Sequence, residues 1–261
     1  MNPPRELKVI DVNKTFGGVQ ALRNVNMTIS GTGITALIGP NGAGKTTLFN
    51  VISGFGTPYT GRIIFDGQDL TGLPVHKVAR AGLVRTFQTP VGISSMTVVE
   101  NIALAIAGSD LDYPWSPFLF WRKDRSRRKL AHDAAWTQLE QADAAQLGNR
   151  AMSDLSPGDA KLVEILRQLA LSPRMLLLDE PAAAMTVNQI DTLSGIIRDI
   201  AQRGVGVLVI DHNLSFVLEL AAQVHVLESG AVIASGTPAA IGNDANVRRI
   251  YLGGDEGTHA A

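Results

Sequence analysis

Apolar and polar positions alternate at the start of the chain, first in Leu7-Lys8-Val9-Ile10-Asp11-Val12 and again in Val25-Asn26-Met27-Thr28-Ile29. A period of two marks a half-buried strand, so both segments are predicted strands, separated by Gly17-Gly18 and closed by Gly31 and Gly33. Gly61-Arg62-Ile63-Ile64-Phe65-Asp66-Gly67 adds a short strand that ends in an Asp-Gly turn. Together these segments predict an N-terminal antiparallel β layer. The pattern then changes. Ile34-Thr35-Ala36-Leu37-Ile38, Met175-Leu176-Leu177-Leu178 and Val205-Gly206-Val207-Leu208-Val209-Ile210 are nearly continuous apolar runs, as expected of parallel strands buried on both faces. Between the last two, Ile190, Leu193, Ile196, Ile197 and Ile200 recur at helical spacing. Strand, helix, strand in that order predicts a βαβ core with a parallel sheet. A closing hairpin is predicted over Val224–Glu228 and Ala231–Ala234, across a Ser229-Gly230 turn. From about Thr97 to Leu147 the chain is Ala-rich and helical, broken by Tyr113-Pro114-Trp115-Ser116-Pro117, and reads as a helical subdomain inserted into the core.

The apolar run at 34–38 leads into Gly39-Pro40-Asn41-Gly42-Ala43-Gly44-Lys45-Thr46-Thr47, which fits G-x-x-x-x-G-K-[ST]. This is the phosphate-binding loop of a nucleoside triphosphatase, and each position has a physical duty. The glycines let successive backbone N–H groups turn inward toward phosphate oxygens. Lys45 brings a point charge to the β and γ oxygens, and the Thr46 hydroxyl is placed to ligate Mg²⁺. Thr47-Leu48-Phe49-Asn50-Val51-Ile52 opens a helix whose positive end adds to the anion site. The predicted fold is α/β: a P-loop NTPase core with a RecA-like parallel sheet, an N-terminal antiparallel β subdomain and the inserted helical subdomain. The core takes residues 1–96 and 154–261, and the insertion 97–153.

A second half of the site follows from Met175-Leu176-Leu177-Leu178-Asp179-Glu180-Pro181. Asp179, at the end of a buried strand, is expected beside the phosphate loop, where it can hold Mg²⁺ through its water shell. Glu180 comes next and can polarise the attacking water. Upstream, Leu155-Ser156-Pro157-Gly158-Asp159 precedes a helix with Leu162, Ile165, Leu166 and Leu169 on its apolar side. Taken alone, Ser156 and Gly158 describe either an anion-binding helix start without a lysine or simply a capped helix.

Composition narrows the partners. The 261 residues are 45% hydrophobic and 18% charged with a formal net charge of −1, a globular balance without the basic excess of a nucleic-acid binder. There is no cysteine, hence no disulfide framework and no Cys-based metal site. The start lacks an apolar signal segment, and no run reaches the length of a membrane-spanning helix. Any membrane association is expected through a partner or the surface. The tail after Tyr251 reads as frayed.

The motif order — phosphate loop 39–47, Gln88, the Ser156–Asp159 segment, the carboxylate strand 175–180 and His212 — resembles the ATP-binding-cassette (ABC) ATPases along nearly the whole chain. That resemblance implies two ATPase subunits paired head to tail, with ATP and Mg²⁺ as cofactors. It puts Ser156 and Gly158 on the partner's ATP, Gln88 near Mg²⁺ and the attacking water, and His212 on the γ-phosphate. It also puts Phe16 against adenine; a packed core aromatic is the other reading of Phe16. Two departures stand out. Asp159 occupies a position where many signatures carry glutamine, and Ala182-Ala183-Ala184-Met185-Thr186 lacks the acidic residue common in that turn.

Within that family, Val84-Arg85-Thr86-Phe87-Gln88-Thr89-Pro90, Met96–Asn101, Leu178–Ala183, Tyr251-Leu252-Gly253 and the long Gly108–Leu130 segment resemble the ATPases of branched-chain amino acid importers and of the related urea and amide importers. Gly204–Asn213 and the ending Val247–Gly253 are also similar to the lipopolysaccharide-export ATPase. The importer resemblance implies a peripheral subunit on the cytoplasmic face of the inner membrane. It would pair with two membrane-spanning permease subunits, a second ATPase (a paralogue or an identical copy) and, through the permease, a periplasmic or extracellular substrate-binding protein. The surface from Gln88 to Asn101 would receive a permease helix. Arg122, Lys123, Arg125, Arg127, Arg128 and Lys129 beside Trp115, Phe118, Phe120 and Trp121 fit either anionic headgroups or a solvated helix start with aromatic packing. A soluble ABC ATPase acting on ribosomes or DNA generally has two cassettes or a long coiled coil, and neither is present. A kinase or GTPase needs acceptor or guanine motifs that are not found.

Overall fold

The computed structural model of the chain describes residues 5–56, 58–86, 92–109 and 125–252. Two sheets organise them. The first is antiparallel, in the order β2-β1-β4-β5, from β1 (Glu6–Phe16), β2 (Val19–Ser30), β4 (Thr60–Phe65) and β5 (Gln68–Asp69). The first two strands run further than the alternation alone predicts. Their distal ends are more exposed and so carry little apolar signal, yet the ladder continues to Phe16↔Val19. Gly17 and Gly18, at φ 50° and 91°, make the tight turn between them.

The second sheet has the order β10-β9-β3-β8-β7-β6, from β3 (Gly33–Ile38), β6 (Leu83–Arg85), β7 (Met175–Asp179), β8 (Gly206–Ile210), β9 (Gln223–Glu228) and β10 (Ala231–Gly236). Every neighbouring pair is parallel except the β9/β10 hairpin. The continuous apolar runs now have a cause. Leu37, Leu177 and Leu208 face one core, shared with Leu7, Ile29 and Phe65 of the antiparallel sheet and with Leu48, Phe49 and Ile52 of α1 (Lys45–Ile52). Alternate residues Ala36, Leu176, Leu178 and Val209 face the other core. Both faces exclude water, and each fully buried Leu contributes roughly 1.5–3 kcal/mol.

That second core is covered by α3 (Val98–Ser109), α4 (Arg125–Gln141), α5 (Pro157–Leu169), α6 (Val187–Gln202) and α7 (Leu214–Leu220). The short elements α2 (Val75–Arg80), α8 (Pro238–Asn243) and α9 (Ala245–Leu252), with β5 and β6, have too few residues to give a periodic signal. The helical segment starts and ends side by side. Thr97 bridges Ala151, and the Val98 and Val99 amides donate to the carbonyls of Arg150 and Gly148, both at 3.0 Å. Gln88, the Tyr113–Pro117 interruption, the aromatic cluster with Arg122 and Lys123, and the tail beyond Leu252 lie outside the described residues.

Candidate functional site

β3 is a central strand of the parallel sheet, and the phosphate loop leaves its carboxyl end, where open α/β sheets bind ligands. Two glycines there cannot be replaced without strain. A Cβ on Gly39 would lie 2.1 Å from the Leu227 carbonyl oxygen, and one on Gly44 (φ 103°) 2.6 Å from that of Ala21. Gly44 is also the N-cap of α1 and has no side chain to occupy the first amides of that helix, which leaves them for an anion. Ala21, Asn41, Gly42, Ala43, Gly44, Lys45, Thr46, Thr47, Glu180 and His212 line a cavity of about 250 Å³.

Lys45 is buried, and its ammonium donates to the carbonyls of Gly39 (2.7 Å) and Pro40 (2.9 Å). Burial pushes its pKa down, while Glu180 and Asp179 push it up. Two carboxylates from the far strand thus act on the same ammonium that holds the loop together.

Glu180 follows β7 with φ 49°, a left-handed conformation that costs a non-glycine residue on the order of 1–3 kcal/mol. The surroundings hold it there. Its amide donates to the Ile210 carbonyl at 2.8 Å, and its Oε1 lies 2.7 Å from His212 Nε2. Asp211 pins the same turn: its Oδ2 accepts the Ala182 amide and its Oδ1 the Asn213 amide, both at 2.9 Å. Burial raises the Asp211 pKa, and those two amides oppose the rise.

Asp179 is buried, and its Oδ2 takes a 2.8 Å ion pair from Arg85 Nη2. The same guanidinium donates through Nη1 to Asn50 Oδ1 (2.6 Å) and Ser53 Oγ (3.1 Å), both from α1 and its C-cap. Phe49 and Phe55 lie beside it, at 5.6 and 6.0 Å from ring centroid to guanidinium carbon. Lys161 of α5, also buried, donates to the Asp179 carbonyl at 3.2 Å. Sequence reasoning gave no role to Arg85, Lys161 or Asp211. For Arg85 the available signal was a lone cation at the end of the apolar pair Leu83-Val84.

Thr46 and Asp179 offer hard oxygen donors that fit Mg²⁺. Among the described residues no group of three or more His, Cys, Asp or Glu is arranged to hold a metal. A divalent ion here would therefore draw most of its ligands from phosphate and water, the usual habit of Mg²⁺.

The remaining expected residues lie elsewhere. Phe16 is 54% exposed at the tip of β1, with the Lys14 ammonium 4.6 Å from its ring centroid, so the packed-core reading of Phe16 is set aside. Ser156 caps α5 by accepting the Asp159 amide, with Pro157 at the first helical position. Neither Ser156, Gly158 nor Phe16 lines the cavity. Thr186, in the turn that lacks an acid, closes a capping box with Gln189 at the start of α6.

The ABC transporter family model matches residues 22–183, a span that holds the loop, the Ser156 helix start and the Asp179-Glu180 strand end. The chain belongs to the ABC transporter family. It is an ATP-binding cassette, and cassettes of this family bind and hydrolyse ATP to power transport. A second model, described as branched-chain amino acid ATP-binding cassette transporter, matches residues 231–257. The chain is 36% identical to the high-affinity branched-chain amino acid transport ATP-binding protein BraF of Pseudomonas aeruginosa, over 95% of this chain and 97% of that one. It is 32% identical to the lipopolysaccharide export system ATP-binding protein LptB of Haemophilus influenzae, over 92% of this chain and 94% of that one. A solved ABC transporter cassette in its ADP conformation superposes with a TM-score of 0.81 at 32% identity, covering 96% of this chain and 100% of that one. Among the described residues, no helix of the cassette is long and apolar enough to cross a membrane.

Proposed function

We propose that this cassette energises an importer of branched-chain or other hydrophobic amino acids. The observation that carries the reading is the 36% identity to a branched-chain amino acid transport ATPase across 95% of the chain, joined to the separate C-terminal match over 231–257. The cassette sits peripherally at the cytoplasmic face of the inner membrane. It works with two membrane-spanning permease subunits and a second ATPase subunit, and the permease receives cargo from a substrate-binding protein.

In this reading the amides from Gly39 to Thr47 and the Lys45 ammonium bind the β and γ phosphates. Lys45 leaves the loop carbonyls of Gly39 and Pro40 as phosphate oxygens take their place. Thr46, Asp179 and Gln88 are the residues that would hold Mg²⁺, which would supply neutralisation of the phosphate charge. Glu180 orients a water in line with the γ-phosphorus and takes its proton as the bond to the bridging oxygen breaks and ADP leaves. His212, 2.7 Å from Glu180, holds that carboxylate and reaches toward the γ-phosphate. Phe16 stacks on adenine. Ser156 and Gly158 close over the nucleotide of the facing ATPase subunit.

The test is uptake of labelled leucine, isoleucine and valine by cells with and without the cassette. Loss of amino acid uptake supports the reading. Selective loss of urea or amide uptake, or a defect confined to lipopolysaccharide export, refutes it. For the site, Lys45→Ala is expected to abolish ATP turnover, whereas Glu180→Gln retains ATP and accumulates a closed dimer. Near-normal hydrolysis by Glu180→Gln sinks the assigned base.

A further inference from the structure

Both departures from the family pattern belong to one hydrogen-bonded chain. Ser156 accepts the Asp159 amide at 3.2 Å, an ordinary cap, but its hydroxyl also donates to Asp159 Oδ2 at 2.7 Å. The other carboxylate oxygen, Oδ1, accepts from Gln189 Nε2 at 2.9 Å. Gln189 in turn accepts from the Thr186 amide (2.9 Å) and hydroxyl (3.1 Å) through its Oε1. The Ser156 helix start is thereby tied to the turn that follows Glu180.

A hydroxyl carries one proton, and Ser156 gives its proton to a carboxylate. Hydrogen bonds to an ionised acceptor are the strong ones, so a phosphate oxygen has to displace a good partner before it gains this donor. The displaced partner is itself an anion in the first turn of the same helix, where it opposes an arriving phosphate. Arg150, 3.9 Å from Asp159 Oδ2 and well exposed, is too distant and too solvated to cancel that charge. A glutamine side chain at 159 would carry no charge, and its amide can donate to Ser156 instead of taking its proton.

We propose that Asp159 is a positioning residue that holds the Ser156 hydroxyl away from the facing subunit's nucleotide and so raises the ATP concentration at which the two ATPase subunits close. This rests on the head-to-tail pairing in the proposed function. Asp159→Asn is nearly isosteric and keeps an oxygen for Gln189. Its amide donates to Ser156 rather than accepting from it, which frees the serine proton. The ATP needed for half-maximal closure falls about tenfold or more.

The test uses the detergent-solubilised membrane complex, purified through a tag on the full-length chain carrying Glu180→Gln. Labelled ATP retained through gel filtration is measured at rising ATP concentration. Adding Ser156→Ala should raise the ATP requirement. Adding Asp159→Asn should lower it, and Asp159→Glu, which keeps the charge, should not. Affinity for ADP, which reports on each subunit's own phosphate loop, should stay the same in both Asp159 variants, a readout that general damage to the helix would move. No effect of Ser156→Ala overturns the head-to-tail reading and this inference with it. An effect of Ser156→Ala together with an unchanged or raised requirement for Asp159→Asn overturns the inference alone.

Discussion

Arg85→Met removes a guanidinium that joins three parts of the cassette while keeping most of its volume. Arg85 and Asp179 side chains are 8% and 6% exposed, so their 2.8 Å pair has little solvent screening. Leaving one member of a buried pair uncompensated costs about 3–5 kcal/mol. The Asn50 and Ser53 oxygens lose a charged donor in the same step. At roughly 2–4 °C per kcal/mol for a chain of this size, the melting temperature should fall by roughly 6–20 °C. Asp179→Asn should cost less, because the amide oxygen still accepts from Arg85, and Asn50 and Ser53 stay paired. The double variant Arg85→Met/Asp179→Asn should therefore be more stable than Arg85→Met alone, since the stranded charge is gone. Arg85→Lys should not rescue, because one ammonium cannot reproduce the planar fork that spans Asp179 and Asn50. Thermal melts followed by far-UV circular dichroism, without nucleotide, measure all four variants. Arg85→Met melting within about 2 °C of the parent, or a double variant weaker than Arg85→Met, refutes the claim that Asp179 depends on this cation.

Two further outcomes can be checked in the same preparations. Gly44→Ala should lose nucleotide binding in a fluorescent-ATP titration and about 1–3 kcal/mol of stability, because its φ of 103° and the Ala21 carbonyl 2.6 Å away both reject a Cβ. Burial pushes the His225 pKa below the ordinary 6.5 of a histidine, opposed by the Thr28 backbone carbonyl, which favours the protonated ring. The unfolded chain then binds more protons than the fold as pH drops below 6.5, so stability is present above that pH and falls below it. The slope should reach up to ~1.4 kcal/mol per pH unit. Urea melts between pH 7.5 and 5.5 should show this fall, and His225→Gln should flatten it.

The parts of the cassette legible in sequence are those set by short-range pattern. The phosphate loop is nine consecutive residues, 39–47, and the Asp179-Glu180 pair is two. Each apolar run read as a buried parallel strand because successive residues serve different cores, as Leu177 and Leu178 do. What escaped depends on separations no local window spans. Arg85 meets Asp179 across 94 positions, and β6, which delivers it, has three residues and no period to detect. Asp211 read only as the residue before His212, because its work is on two backbone amides, and amides leave no mark in a sequence. Phe16 stayed ambiguous for the opposite reason: an aromatic after an alternating strand looks the same whether its ring points into a core or out of it.

The meeting of Glu180 with His212 follows from sheet register more than from either residue. β7 and β8 are parallel neighbours with Asp179 opposite Ile210, so the chain leaves both strands at the same level. The next residues, Glu180 on one strand and Asp211-His212 on the other, must then lie side by side although 32 positions separate the contacting pair. The Glu180 amide bond to the Ile210 carbonyl continues the ladder by one step, and the left-handed φ of Glu180 turns the chain immediately afterward. A one-residue slip of β8 would carry Leu208 to the wrong core and His212 away from Glu180 together. Packing on the two faces of the sheet therefore selects the register that assembles the site.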